Sequence, residues 1–173
     1  MRRCYYVVRC DFPRTDLLPE WDRWYVGHIE LLLTVPGFLG AQRFYAPGAS
    51  AGRPYLALYE LSSRAVMRSE EYERARGFGE WKAHVTRWTR DLVAPPSDAE
   101  LTFAISPGGR LWAAFFQGAS PPKAARSMGL DHSFDAALWR PLEPGEQPPG
   151  LDGFRAAAAV FTPRTEFVTR GHP

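Results

Sequence analysis

Two hydrophobic periods alternate along the first 105 residues of this chain, and their order limits the folds open to it. Cys4–Cys10 is a Tyr- and Val-rich run closed by Asp11-Phe12-Pro13, the pattern of a strand that meets a breaker. From Leu17 to about Thr34 the stripe Leu17, Trp21, Trp24, His28, Leu31 keeps the 3.6-residue period of a helix. Asp16 is its expected N-cap, Pro19 is tolerated in the first turn, and Val35-Pro36-Gly37 stops it. Phe38–Ala46 and Tyr55–Leu61 read as a hairpin around the loop Pro47–Gly52. Ser62, Ser63 and Ser69 are placed to cap short helical turns that run to Arg76. Beyond Gly77 and Gly79, the stripe Trp81, His84, Val85, Trp88, Leu92 predicts a second long helix over Glu80–Leu92, and Leu101–Ile105 alternates as a strand.

The resulting order, β-α-β-β-α-β, predicts an α+β fold with a ferredoxin-like antiparallel sheet and both helices on one face. The opposite face, with six Trp and seven Tyr to distribute, would not stay wet. It has to be covered by a partner, a second copy or the rest of the chain. Residues 1–105 are therefore expected as a ferredoxin-like domain, and 106–173 as a β-rich extension or a degenerate second repeat. With no convincing internal sequence repeat, the extension is preferred. Within it, Pro107-Gly108-Gly109 predicts a hairpin between Leu101–Ile105 and Arg110–Gln117. A helical turn is expected through Met128, then strands at Phe134–Trp139 and Phe154–Thr162 around the Pro- and Gly-rich loop Pro141–Gly150.

A chain of 173 residues can hide about 70% of its unfolded surface, enough for a core. The net charge is +2, and all but two of the 21 basic residues are Arg, interspersed with acids. A nucleic-acid surface needs a concentrated basic patch, so no nucleic-acid partner is expected. No apolar stretch approaches the roughly 20 residues of a membrane span, and charges interrupt any leader after Met1, so a cytoplasmic protein is expected. Cys4 and Cys10 on one strand would stand about 20 Å apart, too far for a disulfide.

The segments Trp21-x-x-Trp24-Tyr25-x-x-His28-Ile29, Val35-Pro36-Gly37-Phe38, Ala41-x-Arg43-Phe44-Tyr45 and Tyr55-Leu56-Ala57-Leu58-Tyr59-Glu60 resemble the dimeric α/β-barrel superfamily, most closely its EthD-type and related small bacterial proteins. The likeness covers residues 4–92. It implies a barrel of two ferredoxin-like sheets, commonly from two subunits, hence a homodimer. The pocket would lie between each sheet and its helices, or within the barrel. Reactions in that superfamily range over cofactor-independent monooxygenases, isomerases, cyclases, dehydratases and haem enzymes, so the fold does not choose the chemistry.

His28 shares a helix face with Trp24, one turn from Tyr25, and imidazole titrates near neutrality. It reads as a general base or acid, or as a half-buried His bonded to backbone. His84, between Trp81 and Trp88, reads as a second acid/base or as an edge His packed on Trp81. Arg43, Tyr45 and Tyr59 are strand residues suited to holding a carbonyl or enolate oxygen, or to cross-strand packing with Arg stacked on a ring. Trp24, Tyr25, Tyr45, Trp81 and Trp88 are the expected walls for a hydrophobic small-molecule substrate. A metal would need His28, His84 and a carboxylate such as Glu60, without supporting spacing, so no metal is expected. No nucleotide or nucleophile-elbow motif is present, and no cofactor is expected. The function this supports is cofactor-independent acid/base chemistry on an aromatic or polyketide-like carbonyl compound: cyclisation, dehydration or isomerisation. The alternatives are a cofactor-independent monooxygenase and a non-catalytic ligand-binding protein.

Overall fold

The computed structural model describes residues 3–48, 53–96 and 101–171. Its elements in chain order are β1 (Cys4–Asp11), α1 (Leu18–Thr34), β2 (Phe38–Tyr45), β3 (Tyr55–Leu61), α2 (Glu70–Ala75), β4 (Thr86–Ala94), β5 (Arg110–Phe116), β6 (Ala125–Leu130), β7 (Ala136–Leu142), β8 (Ala156–Pro163) and the short β9 (Val168–Thr169). Turns of 3-10 helix at Thr15–Leu17, Arg64–Arg68 and Gly79–Ala83 lead into α1, α2 and β4. Among the described residues no helix is long and apolar enough to cross a membrane.

All strand pairs are antiparallel, in the order β3-β1-β4-β6-β7-β5-β8-β2, and β2 pairs back onto β3. Eight strands thus close into a barrel within one chain. The first four stand as β2-β3-β1-β4 and the last four as β6-β7-β5-β8, the same relative order in each half. The connections differ. Helical segments link β1 to β2 and β3 to β4, whereas irregular chain links β5 to β6 and β7 to β8.

Strand alternation sorts side chains to the two faces. Tyr5, Val7, Phe44, Leu56, Leu58, Val93, Leu111, Ala113, Phe115, Ala137, Trp139 and Phe161 point into the barrel and fill it. On the outside of the first half, Tyr6, Val8, Cys10, Ala41, Tyr59 and Leu61 meet the buried side of α1, formed by Trp21, Tyr25, Ile29, Leu32 and Leu33. The stripe read from sequence is one residue out of phase. Leu31 is 49% exposed, and Trp24 and His28 lie at the stripe's edge. Trp21 is fully buried and stacks on Phe12 at 4.1 Å, and burial of a side chain this large contributes more than about 2 kcal/mol. Asp16 does not cap α1 but pairs with Arg14 in a bidentate contact, while Ser69 does cap α2 by accepting from Tyr72 N–H.

Three expected elements are replaced. Glu80–Leu92 is a 3-10 turn and then strand β4, because Thr86, Trp88, Thr89 and Val93 favour a pleated surface and the ladder Tyr5↔Val93 to Arg9↔Thr89 outweighs the helical period. Leu101–Ile105 is extended, with the alternate side chains Leu101, Phe103 and Ile105 buried, but it joins no ladder. It plugs the barrel end where β1 begins. Phe103 meets Tyr5 and Phe167 edge-on, and the buried Gln42 amide accepts from Ile105 N–H and donates to the carbonyls of Ile105 and Thr165. The hairpin expected with Arg110–Gln117 is therefore absent, and β5 pairs with β7 and β8 instead. Ala125–Leu130 is strand β6 rather than the end of a helical turn.

Candidate functional site

Between α1, α2 and the outer face of β1, β3 and β4 lies a cavity of about 140 Å3. The sheet supplies Tyr6, Val8, Tyr59, Trp88 and Arg90; α1 supplies Tyr25, His28 and Leu32. Tyr72 of α2 and the following Arg76-Gly77-Phe78 and Lys82 complete the lining. Its wall is a run of rings. Trp24 stacks on His28 with centroids 4.8 Å apart and planes 9° apart, Phe78 touches Trp24, and Trp88 meets Phe78 edge-on. The volume is that of one benzene-sized occupant.

Four of the residues singled out from sequence line this cavity: His28, Tyr25, Tyr59 and Trp88. Trp24 supports it from behind His28. The other four stand elsewhere. Arg43 is 1% exposed, with its guanidinium packed over Trp21, Tyr25 and Tyr55 and paired to Asp22 at 2.6 Å. Tyr45 packs on Tyr55 and beneath Arg164. Trp81 packs on Phe12, and His84 meets Trp81 edge-on at 6.2 Å. His84 therefore sits at the end of the 3-10 turn, and the shared helix face expected with Trp88 does not exist. Sequence reading missed Tyr6, Tyr72, Arg76, Phe78, Lys82 and Arg90. Only the correct assignment of β4 would have placed Arg90 beside Trp88, on the same side of the sheet as Tyr6 and Tyr59.

The cavity combines neutral donors and acceptors with a cationic rim. Burial pulls the His28 imidazole down to about 4, so it is neutral at physiological pH. Burial likewise raises Tyr59 and Tyr6, aided by their tyrosine neighbours, so both phenols stay protonated. Tyr72 donates its hydroxyl to Tyr6 at 3.1 Å. The buried Tyr59 hydroxyl faces the Tyr25 phenol, whose charge and hydrogen-bonding influence raise it further. Arg90 lies over Trp88 at 5.3 Å, Arg76 is held by Glu73, and Lys82 is exposed. Cys10, on the other side of Tyr25, is pushed up to about 12, chiefly by burial, and is no nucleophile.

The depressed His28 has a consequence for stability. Between pH 6.5 and about 4 the unfolded chain binds a proton at this position that the folded chain refuses, so stability falls as pH drops through that window. The loss is at most about 3 kcal/mol. In urea titrations at pH 7 and 4.5, His28→Gln should lose less stability between the two pH values than the parent chain; parallel losses would show that His28 is not held neutral.

Among the described residues no three His, Cys, Asp or Glu side chains stand together in a way that could hold a metal. The cavity is smaller than a porphyrin, and His28 is turned flat against Trp24, so a haem does not fit here.

No family model matches the chain, and no curated protein matches it. Among solved structures it is similar to a candidate monooxygenase from Lactobacillus acidophilus NCFM, with 9% identity over 99% of this chain and 98% of that one and a TM-score of 0.56. An anthrone oxidase-like protein is similar at 12% identity over 98% and 94% of the two chains, TM-score 0.54. A chlorite dismutase from Candidatus Nitrospira defluvii is similar at 11% identity over 94% and 92%, TM-score 0.51. At these identities the likeness is one of fold, that of an antiparallel α+β barrel. It extends through the last third of the chain, where the sequence motifs had stopped.

Proposed function

We propose that the helix-side cavity binds an aromatic carbonyl compound with an acidic C–H or O–H and removes that proton without an organic cofactor. The observation that carries this reading is a neutral imidazole lining an aromatic cavity whose rim holds Arg76, Lys82 and Arg90. His28 accepts the proton. The enolate or phenolate oxygen that forms is stabilised by the Tyr59 hydroxyl and the rim cations, which act strongly where water is excluded. An imidazole held near 4 is a weak base, so the substrate has to be acidic in its own right, and its anion must pair with the imidazolium as it forms. A CH2 group activated by a carbonyl and flanking rings meets that demand.

The same anion suits cyclisation, dehydration, isomerisation or direct reaction with oxygen. Oxygenation has one specific support: two structures sharing the fold carry the names monooxygenase and anthrone oxidase-like. In that case the carbanion left after proton transfer to His28 forms a C–O bond to O2. The hydroperoxide then loses water, so that CH2 + O2 gives C=O + H2O with no external reductant. One ring fits the cavity as it stands. A larger substrate needs the Arg76–Gly79 segment to shift, and Gly77 (φ 99°) and Gly79 (φ 52°) flank Phe78 at its centre. The EthD-type likeness of the sequence motifs is compatible with this chemistry, and the polyketide class of substrate rests on that likeness.

The test is turnover of anthrone or a smaller carbon acid under air, followed by oxygen uptake and product spectrum. His28→Ala should lower turnover about 10²- to 10⁴-fold while far-UV circular dichroism is unchanged. Full activity in that variant removes His28 from the chemistry. Tight binding without turnover in the parent chain would make the protein a carrier.

A further inference from the structure

A second cavity, of about 250 Å3, opens at the barrel end opposite the Leu101–Ile105 plug. It is lined by strand-end residues of both halves: Arg9, Arg53, Phe115, Gln117, Ser133 and Arg155, with Ala156 and Ala157 as wall. Arg9 projects from β1 into the barrel, is 4% exposed, and lies over the rings of Phe115 (4.0 Å) and Phe134 (5.0 Å). One of its nitrogens donates to Ser133 Oγ at 2.7 Å, and its Nε has no partner.

The fully buried Asp91 on β4 supplies the countercharge, but only through a relay. Ser133 donates both its N–H and its hydroxyl to the two Asp91 oxygens, and Arg9 reaches the carboxylate across that hydroxyl. Arg9 and Asp91 thus cancel inside the barrel, while Arg53 and Arg155 add two positive charges at its mouth. Among the described residues no carboxylate lines the cavity. Arg53 is held in place by donating from its Nε to the carbonyl of Arg87 at 2.7 Å. Desolvation, followed by the nearby Arg53, draws the Arg9 guanidinium down to about 10, as expected for a cation lacking a direct partner.

Planar guanidinium groups bind carboxylates through paired hydrogen bonds, and Phe115, Ala156 and Ala157 offer an apolar surface beside them. We propose that this mouth of the barrel binds a small organic carboxylate, its oxygens held by Arg9, Arg53 and Arg155 and its apolar part against Phe115 and Ala157. The site is separate from the helix-side cavity, with the sheet between them, and does not depend on the function assigned there.

The experiment is calorimetric titration of the full-length protein with benzoate at low ionic strength, with inorganic phosphate as the comparison. Benzoate should bind, and Arg155→Ala together with Arg53→Ala should weaken it at least tenfold. Melting temperatures of the unliganded variants check that they fold, and Arg155→Ala alone, a change at an exposed side chain, should still weaken binding measurably. His28→Ala should leave benzoate affinity unchanged, which separates this site from the other. The proposal is overturned if benzoate does not bind, if the arginine variants bind it as the parent does, or if phosphate binds and benzoate does not.

Discussion

Replacing Asp22 by Ala should destabilise the protein by about 3–5 kcal/mol, whereas replacing its partner Arg43 by Met should cost less than about 1 kcal/mol. The asymmetry follows from where the two charges stand. Arg43 is 1% exposed inside a box of three rings, its Nε and one terminal nitrogen are unpartnered, and its direct ion pair is to Asp22 at 2.6 Å. Asp22 is partly open to solvent and also pairs with Arg164. Taking Asp22 away strands a cation in an apolar enclosure. Taking Arg43 away removes the buried charge and lets a flexible thioether fill the space against Trp21, Tyr25 and Tyr55, while Asp22 keeps Arg164. Urea midpoints of the two variants decide the matter, and equal losses would mean that the rings alone hold the guanidinium. Arg43→Met should also retain activity, because its guanidinium is enclosed away from the cavity.

The second large effect concerns barrel closure. A fragment ending at residue 105 keeps α1, α2 and the first four strands but leaves β2 and β4 each without one neighbour. It also uncovers Tyr5, Val7, Phe44, Leu56, Leu58 and Val93. Such a face and two open edges do not persist in water. The fragment should pair with a second copy or aggregate, and light scattering should find no monomer at micromolar concentration. The full chain has no such need, since β6, β7, β5 and β8 already occupy the place a second sheet would take. A soluble, monomeric fragment 1–105 would show that the last four strands are not required to cover the sheet.

What the sequence made legible, and what it did not, divides along physical lines. α1 and the hairpin of β2 and β3 are read correctly because Pro36, Gly37 and a sustained local pattern bound them. β4 is misread because Trp81, Val85, Trp88 and Leu92 satisfy a helical period as well as a turn followed by a strand. Only pairing with β1, some 80 residues away, separates the two. The plug at Leu101–Ile105 shows period-2 burial without a ladder, and burial pattern alone cannot supply hydrogen bonds. The last four strands carry runs such as Ala156–Val160, with little hydrophobic contrast, so their order emerges only from tertiary pairing. In the candidate site, His28, Tyr25, Tyr59 and Trp88 follow from aromatic clustering on well-read elements. Trp24 is placed as a support, while Arg43, Tyr45, Trp81 and His84 belong to packing around it. Arg90 and Lys82 depend on the misread segment and were out of reach.

The seam between β2 and β8 joins Phe44 to Pro163 and Tyr45 to Thr162. On a ribosome adding about 5–20 residues per second, β2 is finished some 6–24 s before the strand that will lie beside it exists. Throughout that interval Phe44 and the backbone groups on the β8 side of β2 face solvent or a chaperone. Productive expression of this protein is therefore a race between translation of its last third and the joining of nascent edges from neighbouring chains. Slower elongation or a longer connection between β4 and β5 should shift the outcome toward inclusion bodies without altering the finished barrel.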